Sequence, residues 1–235
     1  MKLIIIAAGQ GSRIRSMTDG IPKTLLKLKG KSLLDRVIEN AVSVGIKDAV
    51  IVTGYRSPDL VSYVDSQNYD INVETIYNAN WDKANGLSVL AAKPLIPQGE
   101  PFLISMSDHV YDAQLLEKII LSSLKKYDAL VGLDFRINEI YDIDDGMKVS
   151  VDNNTISKII GMSKTLPEFD AIDCGVFKCK FDFFNALEAA NESGNCSLAD
   201  ACNMLIAKSR MGGVDIGNSF WMDVDTPEAF EELVK

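Results

Sequence analysis

Histidine and cysteine are scarce in this sequence, which has one histidine and four cysteines among 235 residues. The cysteines are Cys174, Cys179, Cys196 and Cys202, and no two of them have C-x-x-C spacing. A zinc site of the usual kind therefore has too few ligands. We expect reduced thiols and a cytoplasmic protein.

Long apolar runs and an excess of basic charge are also lacking. No stretch approaches the roughly 20 apolar residues that a membrane-spanning helix needs. The short apolar run 3–8 leads directly into glycines, so we interpret it as a buried strand and not as a signal peptide. The net charge is -9, whereas proteins that bind long nucleic acids usually present a basic face. We expect no membrane segment in this chain and no nucleic-acid partner.

The composition that remains is typical of a globular protein. Apolar residues make up 47% of the chain and charged residues 24%, and low-complexity linkers are absent. Chains of this length with mixed helix and strand patterns often form one domain. We therefore expect a single domain over residues 1–235.

Up to residue 134, short β-branched runs alternate with segments of helical spacing. The spacing predicts strands at 3–8, 49–53, 73–76, 102–106 and 128–133, and helices at 33–44, 58–64, from about 87, and at 113–124. Strands that alternate with helices indicate βαβ units. The pattern predicts an α/β fold with a mainly parallel sheet and helices on both of its faces.

After residue 134 the pattern changes. Segments 147–151 and 155–160 flank Asp152-Asn153-Asn154, which predicts a β-hairpin insertion on the substrate side. Further strands are predicted at 173–178 and 220–224, and helices at 181–190 and 198–207. A last helix begins at Thr226, with Pro227 in its first turn.

A glycine-rich loop, Gly9-Gln10-Gly11-Ser12-Arg13, follows the first strand. Such a loop lets backbone N–H groups approach phosphate oxygens. The dinucleotide-binding fingerprint would need glycine where Ile14 stands. A Walker A motif ending at Gly30-Lys31-Ser32 would need glycine where Leu25 stands. Both common phosphate motifs are therefore excluded.

Two cations accompany this loop. Arg13 ends it, and Lys23 follows Pro22 ten residues later, so both can meet a triphosphate of about four negative charges. Taken alone, the glycines also fit a plain turn and the two cations a solvated surface. The motifs that follow later in the sequence favour a phosphate-binding function for the loop.

The run Ala7-Ala8-Gly9-Gln10-Gly11-Ser12-Arg13 through Pro22-Lys23-Thr24-Leu25 resembles the signature of the sugar-phosphate nucleotidyltransferase superfamily, A-G-G-x-G-T-R followed by P-K. Three later runs resemble the CTP:inositol-1-phosphate cytidylyltransferases more than the hexose-phosphate branches. They are Asn85-Gly86-Leu87-Ser88, Met106-Ser107-Asp108-His109-Val110-Tyr111 and Trp221-Met222-Asp223-Val224-Asp225-Thr226. The motifs keep their order along essentially the whole chain.

The resemblance implies a fold of the nucleotide-diphospho-sugar transferase type. This is a Rossmann-like three-layer sandwich, with a mainly parallel mixed sheet and a small β-hairpin insertion. The nucleotide-binding half would comprise about residues 1–125, and the acceptor-binding half about residues 126–235.

The resemblance also implies an activity: Mg²⁺-dependent transfer of the cytidylyl group of CTP to a small phosphorylated acceptor, with release of pyrophosphate. Inositol 1-phosphate is the first choice of acceptor. Phosphocholine, 2-aminoethylphosphonate or a sugar 1-phosphate remain alternatives, as does a nucleotide sensor without turnover. Relatives are often fused to a membrane phosphotransferase or an aminotransferase, so a longer natural protein is one expectation, and the oligomeric state stays open.

Roles for individual residues follow from the matching positions. The loop Ala7, Ala8, Gly9, Gln10, Gly11, Ser12 and Arg13 would bind the nucleotide together with Asn85, Gly86 and Ser88. Arg13, Lys23 and Asp108 would be catalytic. From the residues alone, Asn85 also fits as the N-cap of a helix.

Carboxylates after two strands would hold the magnesium ion. Asp108 follows the predicted strand 102–106, where a parallel sheet presents its ligand-binding edge, and Mg²⁺ prefers carboxylates with phosphate oxygens. Asp223 or Asp225 would complete the site. Strand alternation places both on one face, so spacing does not choose between them.

The acceptor would contact His109, Lys164 and Asp173. We expect His109 to shape the loop or touch substrate without acting as acid or base, because a phosphate monoester is largely a dianion at neutral pH. Lys164 also fits an exposed surface lysine, and Asp173 the start of a strand. The acidic run 142–146 lacks the glycine of a calcium loop, and we interpret it as a polar turn.

Overall fold

The computed structural model describes residues 1–152 and 155–235. In the described ranges the strands are β1 (Leu3–Ala7), β2 (Lys27–Leu28), β3 (Lys31–Ser32), β4 (Asp48–Thr53), β5 (Asn72–Tyr77), β6 (Phe102–Met106), β7 (His109–Tyr111), β8 (Ala129–Asp134), β9 (Lys148–Asp152), β10 (Thr155–Ser163), β11 (Ala171–Cys179), β12 (Met211–Asp215) and β13 (Trp221–Asp223). The helices are α1 (Arg15–Thr18), α2 (Leu33–Ser43), α3 (Ser57–Ser66), α4 (Gly86–Ala92), α5 (Ala113–Leu121), α6 (Phe183–Glu192), α7 (Leu198–Ala207) and α8 (Pro227–Val234).

One nine-stranded sheet, in the order β5-β4-β1-β6-β11-β8-β12-β10-β9, forms the centre of the molecule. β1 lies between β4 and β6 and is parallel to both, with Ile4 opposite Val50 and Ile104. β10 and β11 run opposite to the other seven strands. The predicted mainly parallel, mixed sheet is confirmed.

Helices cover both faces of this sheet, which confirms the three-layer sandwich. On one face α4, α6 and α7 pack over the side chains of alternate strand residues, where the rings of Phe102 and Phe184 stack with centroids 4.9 Å apart. On the other face α2, α3 and α5 cover residues such as Ile5 and Ile51. Side chains that alternate along each strand supply both cores.

Local signals fix several helix ends. Ser32 and Asp35 form a capping box at the start of α2, and the Asp112 side chain caps α5 by accepting from Leu115 N. The predicted start of the last helix is confirmed, since Thr226 Oγ1 accepts from Ala229 N at 3.2 Å.

The hairpin insertion extends one edge of the sheet. β9 and β10 pair antiparallel, with Thr155 opposite Asp152. Asn153 and Asn154, the centre of the predicted turn, lie outside the described residues. Among the helices of the described ranges, none is long and apolar enough to cross a membrane.

The strand predicted at 220–224 does not join the main sheet. It is shorter, and as β13 it pairs with β7 in a separate two-stranded sheet. β12 had not been predicted at all. Its segment Met211-Gly212-Gly213 contains two glycines and so lacks the β-branched pattern of a strand. A Cβ added at Gly213 would lie 2.3 Å from the Leu133 side chain. Glycine is therefore required there by packing, which masks the strand pattern.

A small third core closes the molecule near the glycine-rich loop. It contains Ile14, Leu26, Leu28 and Val224, with Phe230 of α8 packed against them. The segment that carries Asp223 and Asp225 is thereby held beside the loop that follows β1.

Candidate active site

The glycine-rich loop leaves β1 at the carboxyl end of the sheet and turns sharply at Gly11. Gly11 has φ +62°, and a Cβ there would lie 2.7 Å from the Cβ of Lys23. A side chain at Gly9 would meet nothing within 4 Å. Gly11 is therefore needed for the backbone and for the approach of Lys23, whereas Gly9 leaves space open in front of the loop.

A cavity of about 270 Å³, here called the loop cavity, opens over this loop. Ten predicted site residues line it: Ala7, Gly9, Gly11, Ser12, Arg13, Lys23, Asn85, Ser88, Asp108 and Asp225. The remaining lining residues had no predicted role: Ile6, Thr24, Trp81, Lys83, Met106 and Ser107.

Three predicted nucleotide-binding residues, Ala8, Gln10 and Gly86, are absent from this lining. Ala8 is buried, and its carbonyl accepts a hydrogen bond from Tyr55 N at 2.9 Å. A Cβ on Gly86 would lie 2.5 Å from the carbonyl oxygen of Cys196. Gly86 thus allows α4 to pack closely against the segment that contains Cys196.

The predicted cap at Asn85 is wrong in one respect. Its side chain makes no capping bond to α4; its Oδ1 instead accepts from Leu198 N, at the start of α7, at 2.9 Å. The oxygen of the amide is thereby occupied, so its NH₂ group is what Asn85 can offer to a ligand.

Two cations and two carboxylates meet at the floor of the loop cavity. Lys23 Nζ lies 2.5 Å from Asp108 Oδ2 and also contacts Asp225, which in turn contacts Arg13. Burial lowers the pKa of Lys23, but Asp108 and Asp225 outweigh it, so the pKa is raised above its ordinary value. Burial raises the pKa of Asp108, yet Lys23 holds it below its ordinary value. The pair is therefore ionised at neutral pH.

His109 and Asp223 face each other across the β7–β13 pair. His109 Nδ1 donates to the carbonyl of Cys174 at 2.9 Å, which leaves Nε2 3.7 Å from Asp223 Oδ2. Burial lowers the pKa of His109, but Asp223 and Asp108 raise it above its ordinary value. Burial also raises the pKa of Asp223.

The carboxylates at this point fit a divalent cation. Oxygens of Asp108 and Asp223 and a ring nitrogen of His109 lie within 4.8 Å of one another. Asp108 Oδ1 and Asp223 Oδ1 are buried without a hydrogen-bond partner among the described residues. Both oxygens of Asp225 are bonded, one to Arg13 and one to Lys23. A second group of carboxylates, Asp145, Asp223 and Asp225, also has oxygens within 4.8 Å of one another, so Asp223 belongs to both groups that could hold a hard cation such as Mg²⁺.

Asp145 is a site residue that the sequence did not reveal. The acidic run 142–146 had been interpreted as a polar turn, yet Asp145 accepts from Arg13 Nη1 at 2.6 Å and from Lys164 Nζ at 2.8 Å. Burial raises the pKa of Asp145, but the hydrogen bonds from Lys164 and Arg13 lower it below its ordinary value. The contacts of Asp145 can be recognised only in the folded chain, where residues 13 and 164 lie close together.

A second cavity of about 540 Å³, the large cavity, opens on the other side of Asp108. All three predicted acceptor residues, His109, Lys164 and Asp173, line it. The Lys164 side chain is 51% exposed. Burial raises the pKa of the Asp173 carboxyl group to about 6. Asp173 Oδ1 accepts from Gly175 N at 2.7 Å.

The two cavities adjoin. They share the lining residues Asn85, Met106, Asp108 and Asp225. Two ligands, one in each cavity, would therefore contact each other beside Asp108 and the buried Lys23. This is the arrangement that a transfer reaction between two substrates requires.

Sequence comparison agrees with this geometry. The family model of the MobA-like NTP transferase domain matches residues 3–136, which is more than half of the chain. The chain belongs to this family. The nucleotidyltransferase superfamily predicted from the motifs is confirmed, and the chain is a nucleotidyltransferase.

Relatives and solved structures point the same way. The bifunctional IPC transferase and DIPP synthase of Aquifex aeolicus is 34% identical over 234 residues, which cover 99% of this chain and 50% of that protein. A protein of the same name from Archaeoglobus fulgidus is 27% identical over 97% of this chain and 42% of its own length. The chain thus spans about half the length of the curated relatives it matches.

The fold is also that of a solved structure, the inositol-1-phosphate CTP transferase from T. maritima. The two superpose with a TM-score of 0.87 over 99% of this chain and 94% of the other, at 21% sequence identity. This likeness supports the nucleotide-diphospho-sugar transferase fold that the motifs predicted.

Proposed function

We propose that this chain transfers the cytidylyl group of CTP to the phosphate of inositol 1-phosphate and releases pyrophosphate. The observation that carries the proposal is the junction of the two cavities at Asp108, Lys23 and Asp225. The names of the relatives and the runs around Asn85, Asp108 and Asp223 supply the choice of substrates.

In this proposal the triphosphate lies in the loop cavity. Backbone N–H groups of the glycine-rich loop and the Arg13 guanidinium bind its phosphate oxygens. Binding requires Arg13 to exchange Asp145 and Asp225 for phosphate. Lys23 is held rigidly by two carboxylates, so its ammonium group is already oriented when the α-phosphate arrives.

The acceptor occupies the large cavity with its phosphate towards Lys23. An oxygen of that phosphate attacks the α-phosphorus of CTP, the bond from the α-phosphorus to the bridging oxygen of the β-phosphate breaks, and pyrophosphate leaves. No general base is needed, because the phosphate monoester is largely a dianion at neutral pH. Lys164 and Asp173 would bind the acceptor, and His109 would orient Asp223.

We further propose Mg²⁺ as the metal, with Asp108 and Asp223 as its ligands. Their buried oxygens without hydrogen-bond partners support this choice. When bound, the cation supplies positive charge to the phosphate oxygens as negative charge develops there.

Phosphocholine is a second candidate acceptor, because four aromatic side chains, Tyr141, Phe177, Phe220 and Trp221, line the large cavity together with carboxylates. Aromatic rings and carboxylates bind quaternary ammonium groups well. A polyol would instead use the carboxylates as acceptors for its hydroxyl groups.

A pyrophosphate-release assay tests these proposals. CTP, UTP, dTTP, GTP and ATP are each combined with inositol 1-phosphate, phosphocholine, 2-aminoethylphosphonate or glucose 1-phosphate in Mg²⁺, and the product is verified by phosphorus NMR. We expect the highest kcat/KM for CTP with inositol 1-phosphate. A preference for UTP or dTTP with glucose 1-phosphate would overturn the substrate assignment, and no turnover with any pair would favour the nucleotide sensor.

The larger context is also a proposal. Because the chain covers about half of its relatives, a membrane phosphotransferase, fused or separate, would use the CDP-linked product, whereas an aminotransferase would instead supply an acceptor that carries an amino group. We expect the reaction to take place in the cytoplasm, where nucleoside triphosphates are supplied.

A further inference from the structure

Thr24 lies beside Lys23 in the wall of the loop cavity and has no role in the mechanism above. It belongs to the short 3₁₀ turn Lys23–Leu25 and is 3% exposed. Its Oγ1 is buried without a hydrogen-bond partner in the described part of the chain. The family pattern ends at the lysine before it, so the resemblance assigns nothing to this threonine.

A buried hydroxyl without a partner destabilises the protein in which it lies. Two other buried threonines do not share this state. Thr53 Oγ1 contacts Ser57 Oγ at 2.7 Å and Ile76 O at 3.3 Å, and Thr18 Oγ1 donates to Arg15 O at 3.1 Å. Thr24 differs from them because it is among the residues that line a cavity. The missing partner is therefore expected from a ligand in that cavity.

We propose that the Thr24 hydroxyl is a further nucleotide-binding group, which donates a hydrogen bond to an oxygen of the β- or γ-phosphate. Thr24 follows Lys23 directly and shares the cavity wall with Gly9, Gly11 and Arg13. The inference rests on the proposed nucleotide site. It adds that the nucleotide relieves an unpaired hydroxyl, so binding and the stability of the free protein respond to this side chain with opposite signs.

Thr24→Val tests the proposal, because valine keeps the shape of threonine and removes the hydroxyl. Binding of CTP and of CMP is measured by isothermal titration calorimetry in Mg²⁺, and the Tm of the free protein by calorimetry. We expect the Kd for CTP to rise about tenfold, as for a lost hydrogen bond to a charged group. The Kd for CMP should stay within about twofold of that of the unmodified protein, because the β- and γ-phosphates are absent. The Tm of the free protein should be unchanged or higher.

Two further variants separate a ligand contact from a structural role. Thr24→Ser keeps the hydroxyl and should retain CTP affinity. Thr53→Val is the matched control: the same change at a buried, hydrogen-bonded threonine should lower the Tm and leave CTP affinity unchanged.

The outcomes are distinct. Unchanged CTP affinity in Thr24→Val, or a Tm that falls as in Thr53→Val, overturns the inference and leaves the proposed function standing. Equal weakening of CTP and CMP contradicts the assignment to the β- and γ-phosphates. If the unmodified protein binds no CTP, the proposed function and this inference fail together.

Discussion

The two cavities differ in charge although they share a wall. Among the described residues that line the loop cavity, three are cationic, Arg13, Lys23 and Lys83, and two are acidic. Among those that line the large cavity, eight are acidic and two, Arg136 and Lys164, are cationic besides His109. The loop cavity therefore suits a polyanion, whereas the large cavity suits a molecule rich in hydroxyl or ammonium groups. In the proposed reaction the acceptor phosphate lies at the junction of the two cavities, where Lys23 is available.

Asp108 belongs to both cavities, and its removal should have the largest effect. We expect Asp108→Asn to lower kcat by about a thousandfold or more, the upper end for loss of one electrostatic group in an active site. Far-UV circular dichroism should stay unchanged, and the exposed Asp65→Asn serves as control. Turnover near that of the unmodified protein would exclude Asp108 from the mechanism.

The two glycines of the loop have different roles in the loop cavity. Gly9 leaves room for a ligand, whereas Gly11 is needed for the conformation of the backbone. Gly9→Ala places a methyl group in open space, so the KM for CTP should rise about tenfold or more with little change in stability. Gly11→Ala must adopt a left-handed conformation and meets the Lys23 side chain. We expect it to lower the free energy of unfolding by roughly 1–3 kcal/mol. Chemical denaturation and steady-state kinetics on both variants measure the difference. Equal behaviour of the two would contradict the geometry of the loop.

The smallest effect should come from the large cavity. Lys164 is half exposed, so Lys164→Ala should raise the KM for inositol 1-phosphate by about five- to tenfold, which is less than the loss of a fully buried charge-assisted hydrogen bond. The KM for CTP should not change. The exposed Lys208→Ala is the control. A larger effect on CTP than on the acceptor would mean that the two cavities do not divide the substrates as described.

The same comparison explains what could be predicted from sequence. The loop cavity is built mainly from residues before position 109, which follow strand ends or short motifs, and strand ends meet at one edge of a parallel sheet. Ten of its lining residues were predicted, most of them because they stand in motifs that resemble those of the nucleotidyltransferase superfamily. Trp81 and Thr24 were not, since a single tryptophan or threonine carries no spacing signal.

The large cavity was harder to predict, because its residues come from separate segments. Asp145 becomes a site residue through hydrogen bonds to positions 13 and 164, and no local pattern records such pairs. The prediction of the fold was limited in a similar way. The alternation of strands and helices predicted the parallel part of the sheet. β12 was missed because its glycines, which allow close packing against neighbouring strands, give no strand pattern. The different hydrogen-bond partners of Asp223 and Asp225 likewise could not be read from their spacing.

The bonds from Arg13 and Lys23 to Asp225 also affect the order of events during synthesis. These pairs are separated by 212 and 202 residues. The glycine loop leaves the ribosome before position 225 does, so its cations stay without this carboxylate partner until position 225 emerges. Contacts of such long range form slowly. Until then Asp108 and Asp145 are the carboxylates that can pair with Lys23 and Arg13, so the charges of the site are balanced as in the native protein only after the last strand has been made.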